Sequence, residues 1–228
     1  MRTDLKNKIA EEIKSANFFE KLPEEIHGFT LKKIFDESDD KFIYFSYENI
    51  KIHRGLTAYF HEETLEYKIR IKIGLNEFCL TAFFNENFSD YCQKVSDELE
   101  KILKNLSENQ SKINPVVEKK NFSAWNYGKN LPENIAGFEL FISPKNPVEL
   151  TNGSYILINY SDFKTESDFM ICYNIYTENF SAELTENHVS QVNYLFDSKN
   201  LSELEEKLEQ NLFAELSRMR NEIENFRQ

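Results

Sequence analysis

Glycine and proline are scarce in this chain of 228 residues, at 6 and 5 copies. So few backbone breakers exclude a collagen-like or low-complexity chain. No stretch approaches the ~18 uninterrupted apolar residues of a membrane-crossing helix. The opening residues, MRTDLKNKIAEEIKSANFF, hold no apolar segment of a secretory leader. Cysteine occurs three times, as Cys79, Cys92 and Cys172, without metal-ligand spacing and without an even-numbered disulfide framework. The expectation is reduced thiols in a cytoplasmic protein, or in host cytoplasm for a phage-encoded one. Positive charge is in deficit: 27 Lys and Arg against 39 Asp and Glu give a net charge of −12. Such a surface repels phosphate backbones, which disfavours direct nucleic-acid binding and favours a protein partner with a basic surface.

Rings are what the chain does hold, with 20 Phe and 11 Tyr. They supply enough apolar mass for a core and favour pleated, half-buried strands. Two stretches are nearly the same ten letters: LPEEIHGFTL at 22–31 and LPENIAGFEL at 131–140. The offset of 109 becomes 113 after a four-residue insertion, and apolar positions then recur in phase to the end of the first copy. Tyr67, Ile69 and Ile71 face Phe180, Ala182 and Leu184; Val95 and Leu99 face Leu208 and Leu212. Self-similarity of this extent predicts a tandem duplication. The expected division is a first repeat over 1–106, a linker over 107–120 and a second repeat over 121–228.

Each repeat reads as an α-β5-α unit of the α+β class, an antiparallel meander with helices on one face. Leu5, Ile9, Ile13 and Ala16 have helical spacing within 3–19. Pro23 and Gly28, like Pro132 and Gly137, read as the first residue and the left-handed terminator of a one-turn helix. Strands are expected at 29–35, 41–49, 55–61, 66–73 and 77–84. In EYKIRIKI, alternation points Tyr67, Ile69, Ile71 and Ile73 inward and Lys68, Arg70 and Lys72 outward. A closing helix follows Ser89. Its counterpart after Leu201 is longer, with Ser202 and Glu205 as a capping box. The extra turns, through Ile223 and Phe226, are expected to pack across the first unit or a second chain.

Candidates for chemistry are few. His27, His53, His61 and His188 have no partner histidine in the other copy, and none stands at a ligand interval. Cys79 and Cys172 fall in strands. Cys92 falls in the first turn of a helix, which would lower its pKa. DESDD at 36–40 lacks the alternation and the glycine of a calcium loop and reads as a solvated turn. No nucleophile elbow, zinc-protease motif or phosphate loop occurs, so neither catalytic nor metal residues are expected, and no cofactor. The residues singled out for partner binding are the basic stripe Lys68, Arg70 and Lys72, the aromatics Trp125 and Tyr127, and Glu206 on the acidic last helix. The expected function is non-enzymatic protein binding of inhibitor, immunity or chaperone type, in a protein of bacterial or phage origin. Alternatives are an acidic nucleic-acid mimic that inhibits a defence nuclease, and a ligand-binding protein with a pocket between the repeats. A homodimer is compatible with all three.

Overall fold

Runs of β-branched and aromatic residues separated by short polar links pair largely with their sequence neighbours, and this local pairing builds most of both sheets. The computed structural model describes residues 3–15, 18–38, 40–108, 115–150, 152–186 and 189–226. The chain is α+β, and it divides into two compact units, residues 1–110 and 111–228.

The first unit begins with helix α1 (Thr3–Ser15). Strands β1 (Glu25–Ile26), β2 (Phe29–Ser38), β3 (Lys41–Asn49), β4 (Arg54–His61), β5 (Glu66–Ile73) and β6 (Asn76–Cys79) follow. They form one antiparallel sheet in chain order. Helix α2 (Phe88–Glu108) closes the unit, burying Phe88, Tyr91, Val95, Leu99, Leu103 and Leu106 at spacings of three and four. The core is a web of rings. Phe19 meets Tyr44 and Phe45 at 5.9 and 6.1 Å, and Tyr67 meets Phe60, Phe88 and Tyr91 at 5.1, 4.9 and 5.6 Å. Such tilted and edge-on pairs add to the burial of the rings themselves.

The second unit opens with short helices α3 (Pro115–Lys120) and α4 (Asn126–Lys129). Its strands are β7 (Asn134–Ile135), β8 (Phe138–Ile142), β9 (Val148–Glu149), β10 (Ser154–Asp162), β11 (Ser167–Asn174), β12 (Asn179–Glu186) and β13 (Val189–Ser198). The sheet order is β13-β12-β11-β10-β8-β7, with β9 paired to β10. Helix α5 (Leu201–Phe226) ends the unit.

Several expectations change. The sequence reading gave five strands per unit, but the sheets hold six and seven, because residues too few to show a period still pair. The LPEEIHG and LPENIAG stretches form no helix. His27 and Gly28 stand at φ 49° and 81°, Ala136 and Gly137 at 51° and 86°. Two successive positive φ values are those of a type I′ turn, and here they fold β1 onto β2 and β7 onto β8. Gly28 and Gly137 are left-handed as expected, but they turn a hairpin. The prolines supply acceptors: the Tyr47 hydroxyl donates to the Pro23 carbonyl at 2.6 Å, and the Tyr160 hydroxyl donates to that of Pro132 at 2.7 Å. The strand expected at 77–84 stops at Cys79 and passes into a 3-10 turn at Thr81–Phe83. Within 107–120, α2 runs to Glu108 and α3 starts at Pro115.

The cap of α5 lies two residues earlier than Ser202. Asn200 Oδ1 accepts from the Glu203 N–H at 3.0 Å, and Asn87 Oδ1 likewise accepts from the Asp90 N–H at 3.1 Å at the start of α2. The long apolar stripe of α5 is satisfied within its own unit. Leu204, Leu208, Leu212, Leu216, Met219 and Ile223 are all buried in one cluster with Phe138, Tyr160, Phe169 and Phe196. The side chain of Phe226 lies outside the described residues.

Arg220, near the end of α5, fixes the β7–β8 turn. Its Nε donates to the Ala136 carbonyl at 2.8 Å, and an Nη lies 2.8 Å from Asp162 Oδ2 at the end of β10. The guanidinium also stacks 4.7 Å from the centre of the Phe138 ring. Burial alone would raise the Asp162 carboxyl. Hydrogen bonds from Arg220, Thr165 and the Lys164 N–H outweigh it and hold the carboxyl below its ordinary value. Removing the guanidinium as Arg220→Met is expected to cost about 2–3 kcal/mol near neutral pH, the scale of a charged hydrogen bond lost from a largely buried site. Because the folded pKa is depressed, the ion-pair share is complete above about pH 5 and is lost as pH falls through the unfolded and then the lower folded value. Urea unfolding should therefore show a gap between wild type and variant that narrows in acid; a gap of constant size would exclude the Asp162 pair as its source.

Candidate functional site

Two regions of the first unit and two of the second gather the functional groups. On β5, Lys68 does not face solvent. It is buried, with its ammonium 3.0 Å from Glu66 and 4.4 Å from the centre of the Phe84 ring. Alternation sends its side chain to the face away from the core, but the turn after β6 folds Phe84 over it. Arg70 pairs with Glu77 at 2.8 Å and lies 5.8 Å from the Tyr59 ring. Lys72 is exposed. The three residues share one strand face as expected, yet two of the three charges are matched by carboxylates of the same sheet.

At the end of the same sheet, Asp40, His61 and Glu63 converge, each offering one ligand atom within 4.8 Å of the others. His61 Nε2 lies 2.8 Å from Asp40 Oδ2, and its Nδ1 lies 3.1 Å from the Thr64 hydroxyl. Asp40 and His61 are 21 positions apart in sequence. Only the β3–β4 register, which pairs Lys41 with His61, brings them together. The acidic turn is therefore not only a solvated feature. Among its other residues, Asp39 lies outside the described residues. His27 occupies the β1–β2 turn, 3.7 Å from Glu100, and His53 takes a left-handed position before β4. His188 is outside the described residues.

In the second unit Trp125 is core. Its Nε1 donates to Glu205 at 2.7 Å, its ring meets Tyr127 at 5.5 Å, and Gly128 lies against it. A Cβ at Gly128 would stand 2.7 Å from the indole, so only glycine allows this approach. Tyr127 is half-buried; burial and then the Glu209 and Glu205 carboxylates raise its pKa. Glu206 is exposed and accepts from Gln210 at 3.2 Å. Trp125 and Glu206 do not form one surface feature, because the indole is turned inward beneath α5.

The feature that sequence reasoning passed over is β13. It is the outermost strand of its sheet and ten residues long, VSQVNYLFDS, with no Lys, Arg, Pro or Gly. Val189, Val192, Tyr194 and Leu195 are 58, 54, 76 and 46% exposed. The other strand ends of the two sheets are short: β1 and β7 have two residues and β6 has four. Edge strands are ordinarily blunted by charge, proline or brevity. On β13 the devices are the irregular register between Asn193 and Ser198 and the exposed Asp197 near its end. Glu183, exposed on β12, is paired in register with Val192, so a carboxylate borders the apolar row. The available signal was the absence of a basic or proline residue from a strand at the end of a meander.

The three thiols are free. Burial, and then Glu12, pushes the Cys92 thiol up to about 12, against the lowering expected from its place at a helix start. Burial, then Glu183 and Asp168, pushes Cys172 up to about 12 as well. Desolvation of the thiolate outweighs the helix N-terminus at Cys92. Cys79 Sγ lies 3.1 Å from the Tyr59 hydroxyl. Among the described residues no helix is long and apolar enough to cross a membrane. No protein-family model matches the chain, and neither curated proteins nor solved structures yield a similar one.

With burial pushing both thiols up to about 12, Cys92 and Cys172 stay overwhelmingly protonated at pH 8. Native protein at pH 8 should leave both unlabelled by an alkylating reagent and take up label at both once unfolded in urea. Rapid stoichiometric labelling of Cys172 in the native state would contradict this account of its environment.

Proposed function

We propose that the chain is a non-enzymatic protein-binding module of inhibitor, immunity or chaperone type, and that β13 is the surface it uses. The observation that carries this reading is the open ten-residue edge strand with Val189, Val192, Tyr194 and Leu195 exposed. An extended segment of a partner can add to such an edge as a further strand, taking affinity from main-chain hydrogen bonds and specificity from alternate side chains. The exposed aromatic Tyr194 is of the type that anchors protein interfaces. The net charge of −12 and the exposed carboxylate of Glu183 beside Val192 favour an apolar segment flanked by basic residues. Free thiols fit a cytoplasmic setting.

We also propose that the two units arose by tandem duplication of one α+β unit. Supporting this, features recur at the two sequence offsets. At 109 stand Pro23 with Pro132 and Gly28 with Gly137. At 113 stand Tyr47 with Tyr160, the capping Asn87 with Asn200, and left-handed His53 with Glu166 and Leu65 with Glu178. The bulges between Ile43 and Phe45 and between Ile156 and Ile158 obey the same offset of 113. On this reading the copies kept their frame and diverged at the edge, where the first has a four-residue strand and a 3-10 turn and the second has β13.

The double substitution Val192→Lys with Tyr194→Lys places on β13 the charges that edge strands ordinarily carry. Both positions are exposed, so stability should change by no more than about 0.5 kcal/mol. Proteins retained from bacterial lysate by immobilised wild type should be retained at least about tenfold less by the variant, the effect of losing 1.4 kcal/mol. Equal retention by both proteins would overturn the assignment to β13.

A further inference from the structure

We propose that Asp40, His61 and Glu63 form a binding site for a divalent cation of the zinc class. The donors come from two turns at one end of the first sheet. Asp40 lies in the β2–β3 turn, His61 ends β4, and Glu63 lies in the β4–β5 turn. The backbone holds these turns together: the Glu62 N–H donates to the Asp40 carbonyl at 2.8 Å, and Lys41 is the ladder partner of His61. The donor positions are therefore set by sheet register and not by three independent surface side chains.

Donor chemistry selects the cation. One imidazole and two carboxylates suit zinc, cobalt or nickel better than calcium or magnesium, which favour oxygen-only sets. Bonds of about 2.0–2.2 Å to each ligand place the ligand atoms roughly 3–4 Å apart. The observed separations, all within 4.8 Å, come into that range by small side-chain rotations. His61 is also oriented from behind. Nδ1 faces the Thr64 hydroxyl at 3.1 Å and the Thr64 N–H at 3.4 Å. Without a metal the Thr64 N–H donates to Nδ1 and the Nε2 N–H donates to Asp40. A cation at Nε2 selects the other tautomer, in which the Nδ1 N–H donates to the Thr64 hydroxyl. That second hydrogen bond is the usual support of a metal-binding histidine. The edge of the Tyr59 ring, with centroids 6.3 Å apart, packs against the imidazole. Lys41 Nζ lies 3.6 Å from Asp40 Oδ1, on the carboxylate oxygen away from His61. Positions 113 residues further along are Gly153, Asn174 and Tyr176, so the second unit offers no equivalent set.

Three protein ligands leave the remaining coordination positions to water. The cation would staple the β2–β3 turn to the β4–β5 turn.

Calorimetric titration of the chelator-treated full chain with zinc chloride at pH 7.5 tests this. The expected result is one saturable site, weakened more than about 100-fold by His61→Ala and about 10–100-fold by Thr64→Val. His27→Ala should leave it unchanged. Asp40→Asn, which retains the turn, guards against a folding defect in the histidine variant and should also weaken binding. Cobalt(II) spectra should lack a thiolate charge-transfer band. Absence of one-to-one binding, equal affinity in His61→Ala and His27→Ala, or a thiolate band would each overturn the assignment.

Discussion

An antiparallel meander pairs every strand with its chain neighbours and so always leaves two edges, each with a row of unpaired main-chain donors and acceptors. How those edges end decides what each unit can do. In the first unit the sheet terminates in the two-residue β1 and the four-residue β6, after which the chain turns and lays Phe84 over Lys68. In the second unit β7 is equally short, but β13 runs ten residues with its apolar side chains outward. Because β1 pairs only with Phe29 and Thr30, the rest of the ten-residue β2 is also an open edge, but it carries Lys32, Lys33 and Asp36 where β13 exposes Val192, Tyr194 and Leu195.

Two buried tyrosines tie the frame together through their hydroxyls as well as through their rings. Tyr47 and Tyr160 each span from the second long strand of the meander to a proline carbonyl before the first hairpin. A buried ring needs such a partner for its hydroxyl, and the proline carbonyl provides it at the point where the chain enters the sheet. Helices α2 and α5 then cover the ring layer from asparagine-capped starts. With the cores closed in this way, the residual chemistry moves outward, to the β13 edge and to the turn cluster of Asp40, His61 and Glu63.

Much of the fold was legible because strand period is local. KFIYFSYEN and EYKIRIKI form strands at the bounds read from apolar runs or alternation between polar turns, 41–49 and 66–73. The misreadings came where a distant element decides. Proline followed five residues later by glycine is punctuation shared by a short helix and a hairpin; the positive φ at His27, a residue with a Cβ, is set by the pairing of Ile26 with Phe29. Lys68 points where alternation sends it, yet residue 84 covers it. Ile223 requires no second unit because α5 crosses the same ring layer that buries Phe138 and Tyr160. The candidate sites were less legible than the fold. The Asp40–His61 pair exists only through sheet register, and the openness of β13 depends on which strand comes last in the sheet.

Hydrogen–deuterium exchange of the free chain, resolved by residue, tests the open edge most directly. The account predicts that the outward-pointing amides over 189–195 exchange at rates near those of unstructured peptide, while amides of β10 and β11 over 155–160 and 169–173 exchange only through global unfolding. Protection of the whole of β13 equal to that of β11, in a chain verified as monomeric, would mean that the edge is covered and would contradict the account.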